Sequence, residues 1–323
     1  MMELSIVTTL YRSSPYLEEF YRRMSAEAQK ITFDYEIIFV NDGSPDDSLQ
    51  KVLSLHAADP KVRVIDLSRN FGHHKAVMTG LSYAKGEKVF IINNDLEEVP
   101  EDLPAFNKAL TENPDCDVVY GVHPQRKGNL IRRSAGNFFY AVLNRLSRTR
   151  FNNDMVFSRL MTRRYVMSLL RFRESELFLV GVWDLTGYNQ IPLEIGSHFK
   201  GRSSYTLRKK VAMAINAVTS FSDKPLVYIS YLGVALSGLS GFYILMLFIK
   251  KLFFSDPILG WTSVIVSIWF VGGLLLFSMG LVGIYIAKIF VETKNRPYSI
   301  VKAEYPSPAA DTSADFPERQ HHE

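Results

Sequence analysis

The stretch Tyr35–Val40 (YEIIFV), followed at once by Asn41–Asp47 (NDGSPDD), decides the reading of the fold. A short run of β-branched and aromatic residues, closed by a Gly/Pro/Asp cluster, reads as a buried strand running into a turn. Outward from it the same grammar repeats. Glu3–Leu10 (ELSIVTTL), Val62–Leu67 (VRVIDL), Lys88–Asn93 (KVFIIN) and Asp117–Gly121 (DVVYG) read as further strands. Tyr16–Lys30 and Asp47–Ala58, lying between strands, read as helices. Strands alternating with helices predict an α/β domain with a mostly parallel sheet and right-handed crossovers. Ligands of such sheets bind beyond the carboxyl ends of the strands. That rule gathers Tyr11, Asp42 and Asp95 at one rim, although they are distant in sequence. No GxGxxG follows the first strand and no GxxxxGK[ST] occurs, so dinucleotide and P-loop readings lose their main support.

The 323 residues are 47% hydrophobic and 22% charged, average figures that conceal a split. Composition is mixed up to about Lys224 and almost wholly apolar from Pro225 to Phe290. The uncharged runs Pro225–Ile249 and Pro257–Ala287 are joined by the short connector KKLFFSDP. Each is long enough, at about 1.5 Å per residue, to cross a hydrocarbon layer of about 30 Å. A two-helix transmembrane hairpin is therefore expected, with both flanks on one side. Those flanks carry Arg202, Arg208, Lys209, Lys210 and Lys224 before it, and Lys288, Lys294, Arg296 and Lys302 after it. Only Lys250 and Lys251 sit in the connector. The positive-inside rule then puts the N-terminal domain and both termini in the cytoplasm. Lone Cys116 excludes an internal disulfide framework. The start lacks a basic region and a long apolar run, so no signal peptide is expected. A net charge of +4 suits a chain lying against anionic lipid and gives no argument for a nucleic-acid partner.

The expected plan is a domain over 1–200, a juxtamembrane interfacial helix region over 201–224, two spans within 225–290 (225–249 and 257–287), and a tail over 291–323 whose end is disordered. Several motifs occur in order along it. VNDGSPDD (Val40–Asp47), SRNFGHHKAVMTGL (Ser68–Leu81), NNDLEEVPE (Asn93–Glu101), GRSSY (Gly201–Tyr205) and KNRP (Lys294–Pro297) resemble glycosyltransferase family 2. Within it they are most similar to the polyprenyl-phosphate glycosyltransferase group. The resemblance implies a GT-A nucleotide-diphospho-sugar fold, a bound Mg²⁺ or Mn²⁺, and inverting transfer of a sugar, UDP-linked by preference, to a polyprenyl phosphate. It places the chain in the inner membrane as a multi-pass protein with a cytoplasmic catalytic domain serving cell-envelope glycan modification. Self-association is left open. The alternatives are a family 2 transferase with another acceptor, and a non-catalytic scaffold of a glycosylation complex.

The resemblance also implies roles for single residues. Asp42 reads on its own as a turn former or as a carboxylate accepting from the N–H groups of a base; the family favours the base. It brings Thr9, Tyr11 and Asn93 to the same nucleotide, although Thr9 stands where Pro is usual and Ser13 where an acid is usual. Asn93–Glu97 (NNDLE) replaces the family's Asp-Ala-Asp-Leu-Gln. Asp95 matches the metal-binding aspartate, also catalytic, and Glu97 its neighbour. Carboxylates suit a hard cation that neutralises a diphosphate leaving group, but acids before Pro100 also suit a helix start. Asp154 matches the catalytic aspartate near the acceptor, or else caps a helix; Thr162 stands where the family has Asp. Guanidinium groups fit phosphate, and Arg126, Arg133 and Arg202, with Ser203, are the candidates for the donor diphosphate or the lipid phosphate. His73 and His74 read as structural or substrate-lining, since adjacent helical residues diverge by about 100°.

Overall fold

The structure, a computed structural model, describes residues 2–122, 155–174, 177, 179–196, 224–253 and 260–306. Strands β1 (Leu4–Leu10), β2 (Tyr35–Asn41), β3 (Val62–Leu67), β4 (Lys88–Ile91) and β5 (Val118–Val122) alternate with helices α1 (Leu17–Gln29), α2 (Ser48–Ala58), α3 (His73–Tyr83) and α4 (Leu103–Glu112). Then come β6 (Met155–Thr162), α5 (Arg163–Leu169), α6 (Leu179–Leu185), β7 (Gln190–Glu194), the long helices α7 (Lys224–Phe253) and α8 (Trp261–Thr293), and β8 (Val301–Tyr305). The eight strands form one sheet in the order β7-β5-β6-β4-β1-β2-β3-β8. β1 lies parallel to β2 and β4, β3 parallel to β2, and β7 parallel to β5. Two strands run against the rest: β6 between β4 and β5, and β8 on the edge of β3.

β2 and β3 are buried at every position, and β1 at all but one. A parallel strand covered on both faces reads as a continuous apolar run, as Ile37, Ile38, Phe39 and Val40 do. One face packs on α1 and α4: Phe20 meets Phe39 with ring centroids 6.1 Å apart, and Phe90 meets Phe106 at 5.2 Å. α3 comes very close to the sheet. A Cβ at Gly80 would lie 2.4 Å from Val7 Cγ1 and 2.8 Å from Val40 Cγ2, so only glycine lets the helix seat there.

β6 departs from the sequence pattern, which predicts no strand over Met155–Thr162. Its middle residues, Ser158 and Arg159, are both buried, so the polar interruption hides a strand lying inside the sheet. β4 ends at Ile91 rather than Asn93, because the chain turns after Ile92 donates its last ladder bond to the Val7 carbonyl. β8 lies within a stretch expected to be tail. Its alternating half-buried and exposed residues suit an edge strand. It is fastened by charge: Arg63 holds Glu36 at 2.7 Å and Glu304 of β8 at 3.1 Å. Glu36 also accepts from Ser5 Oγ at 2.6 Å and the Lys85 amide at 2.7 Å, so this buried carboxylate is fully engaged.

Helices cover most of both stretches expected to span a membrane. In α8, Ser267–Thr293 is a 27-residue segment with mean hydropathy 2.2 and none of its most apolar window buried, long and apolar enough to cross a membrane. In α7, Lys224–Leu236 is a shorter apolar segment.

Candidate active site

The parallel strands deliver their carboxyl ends to one rim, and the loops leaving them are tied to one another there. The amide of Asp42 donates to the Leu10 carbonyl at 3.0 Å, joining the ends of β2 and β1. The Asp42 carboxylate reaches across to the loop after β3, accepting from the amides of Phe71 at 2.7 Å and Gly72 at 3.1 Å. It therefore serves the entry of α3, whose first amides lack helical partners. Burial raises the pKa of Asp42, and these two amides partly offset the rise. Beside it, Gly43 at φ +59° lets the same loop approach: a Cβ there would lie 2.5 Å from the Asn70 nitrogen.

Asp46 explains much of the rest of the NDGSPDD motif. Its carboxylate accepts from the Ser44 and Ser48 hydroxyls, each at 2.6 Å, and from the Ser48 and Ser14 amides. Desolvation acts against its charge, but these bonds outweigh it and hold the pKa at about 2. The motif is thus partly a structural knot at the start of α2.

Thr9 sits near the end of β1. Its hydroxyl meets His73 Nδ1 at 2.9 Å, and its carbonyl accepts from Asn94 Nδ2 at 2.8 Å. The Asn93–Glu97 turn and the start of α3 are therefore both fastened to β1. Tyr11 stands just beyond, 49% exposed, with the Arg12 guanidinium 5.8 Å from its ring centre. Asn93 is half-buried, whereas Asp95 and Glu97 are exposed. Asp95 Oδ1 accepts from the Glu97 amide at 3.1 Å, and Leu96 between them adopts φ +60°. These carboxylates share one turn and offer the hard oxygen donors that Mg²⁺ or Mn²⁺ takes. Among the described residues, no group of three or more His, Cys, Asp or Glu is placed to hold an ion. A cation here would need other oxygen ligands, such as diphosphate.

Three further residues, to which the resemblance assigns no role, lie under this rim. Glu98 is buried, and its Oε1 accepts from the Phe157 amide of β6 at 2.8 Å. Burial raises its pKa to about 7 against the opposing effect of the amides. Arg159 is wholly buried, its guanidinium 3.1 Å from the centre of the Trp183 ring, and burial lowers its pKa to about 9. The Phe157 ring lies 4.6 Å from His73 and 5.9 Å from Trp183. A charged residue between others of its kind, as Glu98 is, carries no sign in sequence of which one turns inward. A shallow groove of about 540 Å³ lined by Lys88, Thr162, Arg163 and Arg164 lies at the opposite rim, where β4 begins and β6 ends.

The structure thus gathers Thr9, near the end of β1, and Tyr11, Asp42, Asn93, Asp95 and Glu97, on the loops beyond the strands, at one rim. Asp154, Arg126, Arg133, Arg202 and Ser203 lie outside the described residues. Asp154 directly precedes β6, whose first residue, Met155, pairs with Val122 at the end of β5.

A mostly parallel sheet with a reversed strand inside it, and acidic turns on its carboxyl rim, defines an α/β domain of the GT-A kind. The model of glycosyl transferase family 2 matches residues 5–174, and the chain belongs to that family. It is a glycosyltransferase. It is 50% identical over 306 residues to a protein of Mycobacterium tuberculosis described as putative glycosyltransferases, covering 95% of this chain and 89% of the relative. It is 30% identical over 306 residues to the SfII prophage-derived bactoprenol glucosyl transferase of Shigella flexneri, covering 94% and 99%. Among solved structures, glucosyl-3-phosphoglycerate synthase from Mycobacterium tuberculosis overlaps 68% of this chain and 78% of its own, at 16% identity and a TM-score of 0.47.

Proposed function

We propose that this glycosyltransferase moves a sugar from a nucleotide-diphosphate sugar, UDP-linked by preference, to a polyprenyl phosphate such as undecaprenyl phosphate, giving a lipid-linked monosaccharide for cell-envelope glycans. The observation that carries the reading is the similarity to a bactoprenol glucosyl transferase over 94% of this chain, which therefore reaches into the apolar helices. A greasy acceptor needs an enzyme held at its membrane. α7 and α8 are read as two spans, with the sheet domain and both termini on the cytoplasmic, Lys/Arg-rich side.

In this reading Thr9, Tyr11, Asp42 and Asn93 line the nucleotide, and Asp95 and Glu97 would hold Mg²⁺ or Mn²⁺. When bound, the cation supplies positive charge against the diphosphate as it leaves. Arg126, Arg133, Arg202 and Ser203 are assigned to phosphate, because a planar fork of donors fits its oxygens. A phosphate monoester has its second pKa near 6, so the acceptor arrives as an anion without help from a base. Its oxygen attacks the anomeric carbon in line, the bond from that carbon to the diphosphate breaks, and the configuration inverts. Asp154 then has the task of orienting the acceptor or a cation that binds it.

A scaffold without catalysis is the competing reading, motivated by Thr9, Ser13, Asn93 and Thr162 replacing usual family residues. The family match and the bactoprenol glucosyl transferase relative support the enzyme, and three of these replacements have partners within the fold. Thr9 bonds His73, and Ser13 Oγ accepts from the Tyr11 amide at 3.2 Å. Thr162 Oγ1 donates to Asp117 at 2.7 Å and caps α5. The test is to give the purified full chain undecaprenyl phosphate and radiolabelled UDP-, GDP- and dTDP-sugars, then chromatograph the lipids. A labelled lipid from one donor supports transfer. No lipid product from any donor, with no nucleotide-sugar binding by calorimetry, favours the scaffold.

A further inference from the structure

We propose that Glu98 is a positioning residue that fixes the Asp95–Glu97 turn against β6 and, through Phe157, against the end of β1, a role that presupposes the donor site proposed above. Glu98 follows two exposed carboxylates yet is itself only 7% exposed. Its Oε1 accepts from the Phe157 amide at 2.8 Å, while its buried Oε2 has no hydrogen-bond partner among the described residues. One side chain thus joins the C-terminal end of the turn to a strand in the middle of the sheet.

The turn needs such an anchor. Leu96 holds φ +60°, a left-handed conformation that side-chain-bearing residues adopt at a cost and keep only where the surroundings impose it. Asp95 bonds within the turn, to the Glu97 amide, and so does not tie it outward. Asn94 makes one outward hydrogen bond, to Thr9, and Glu98 another, to Phe157. The Phe157 ring carries the restraint onward, packing 4.6 Å from His73, which meets Thr9 at 2.9 Å. The acidic turn and the rim of β1 are therefore held at a set separation from two directions. A nucleotide diphosphate bridging a cation at the turn and a base at Thr9 and Tyr11 depends on that separation.

The experiment is calorimetry of UDP with Mn²⁺ on the full chain in detergent, for the wild type, Glu98→Ala, Glu98→Gln and Phe157→Leu, with thermal unfolding of each. Glu98→Ala is expected to weaken binding about 10–100-fold, the usual effect of losing a group that orients metal ligands. Glu98→Gln keeps an acceptor oxygen for the Phe157 amide and is expected to stay within about tenfold of the wild type. Phe157→Leu keeps the amide but loses the ring contact with His73, and is expected to weaken binding as well. A Glu98→Ala chain that melts earlier yet binds UDP and Mn²⁺ as the wild type does overturns the proposal, because Glu98 then serves stability alone. If Glu98→Ala does not fold, wild-type affinity in both other variants overturns it. A wild-type chain that binds no UDP sinks the donor-site reading first, and this role with it.

Discussion

The Thr9 hydroxyl and His73 Nδ1 lie 2.9 Å apart, joining the end of the first strand to the first residue of α3. The imidazole packs on Phe157 on one side and reaches solvent on the other. Desolvation, with His74 adding repulsion, lowers the His73 pKa from 6.5 to about 4. His74 is lowered as well, by desolvation that outweighs its bond to the Leu177 carbonyl. Both rings are therefore neutral near pH 7, and His73 meets Thr9 uncharged.

The sign of the resulting pH dependence follows. A folded pKa below the unfolded one means the unfolded chain binds more protons between the two values, so stability rises with pH across that window. The wild type is expected to lose stability relative to His73→Asn as pH falls from 6.5 towards about 4. Thermal midpoints of both proteins across this range are the measurement, and parallel curves would contradict the assignment.

Asp95→Asn is expected to lower kcat/KM for lipid-linked product by about a thousandfold, the scale of losing one electrostatic stabiliser of a leaving group. Asp95 is exposed, so its unfolding free energy should move by no more than about 0.5 kcal/mol. Product chromatography alongside circular dichroism melts separates the two effects. Retained transfer would remove Asp95 from the metal site.

Arg63→Ala leaves the buried Glu36 carboxylate without its cation and is expected to cost about 3–5 kcal/mol. Glu304→Ala removes the half-exposed outer partner of the same arginine and should cost under about 1 kcal/mol. Chemical denaturation followed by tryptophan fluorescence would rank them, and equal effects would mean the inner pair is not the stronger tie.

Gly80→Ala should destabilise the domain by about 1–3 kcal/mol, because its methyl would press on Val7 and Val40 in the sheet. α3 would have to lift, and His73 with it. Weaker UDP binding together with a lower melting midpoint is the expected pair of results; an unchanged midpoint would show that α3 has slack.

The parallel half of the sheet was open to reading because β1, β2 and β3 are covered on both faces and so written in unbroken apolar letters. β6 was closed to it, since Ser158 and Arg159 interrupt the strand and only tertiary packing gives the arginine its place on Trp183. The rim residues Tyr11, Asp42 and Asp95 could be picked out from the rule that sheet ligands gather at strand ends, and Thr9 only through the family resemblance. Glu98 could not. It differs from Glu97 only in facing inward, and that is settled by the Phe157 amide waiting on a distant strand. Asp46 was hidden differently: its motif looks like chemistry, and four hydrogen bonds make it a turn.

β8 has a consequence for how the chain is made. The outer edge of β3 is completed by residues 301–305, which leave the ribosome only after both long apolar helices have been translated. Until then the nascent sheet carries a bare, pairing-competent edge, and Arg63 lacks its outer carboxylate partner. A product aborted inside the last helix keeps every rim residue discussed above and still has an unfinished sheet. Catalytic-domain assembly and completion of the apolar helices are thereby placed in a fixed temporal order.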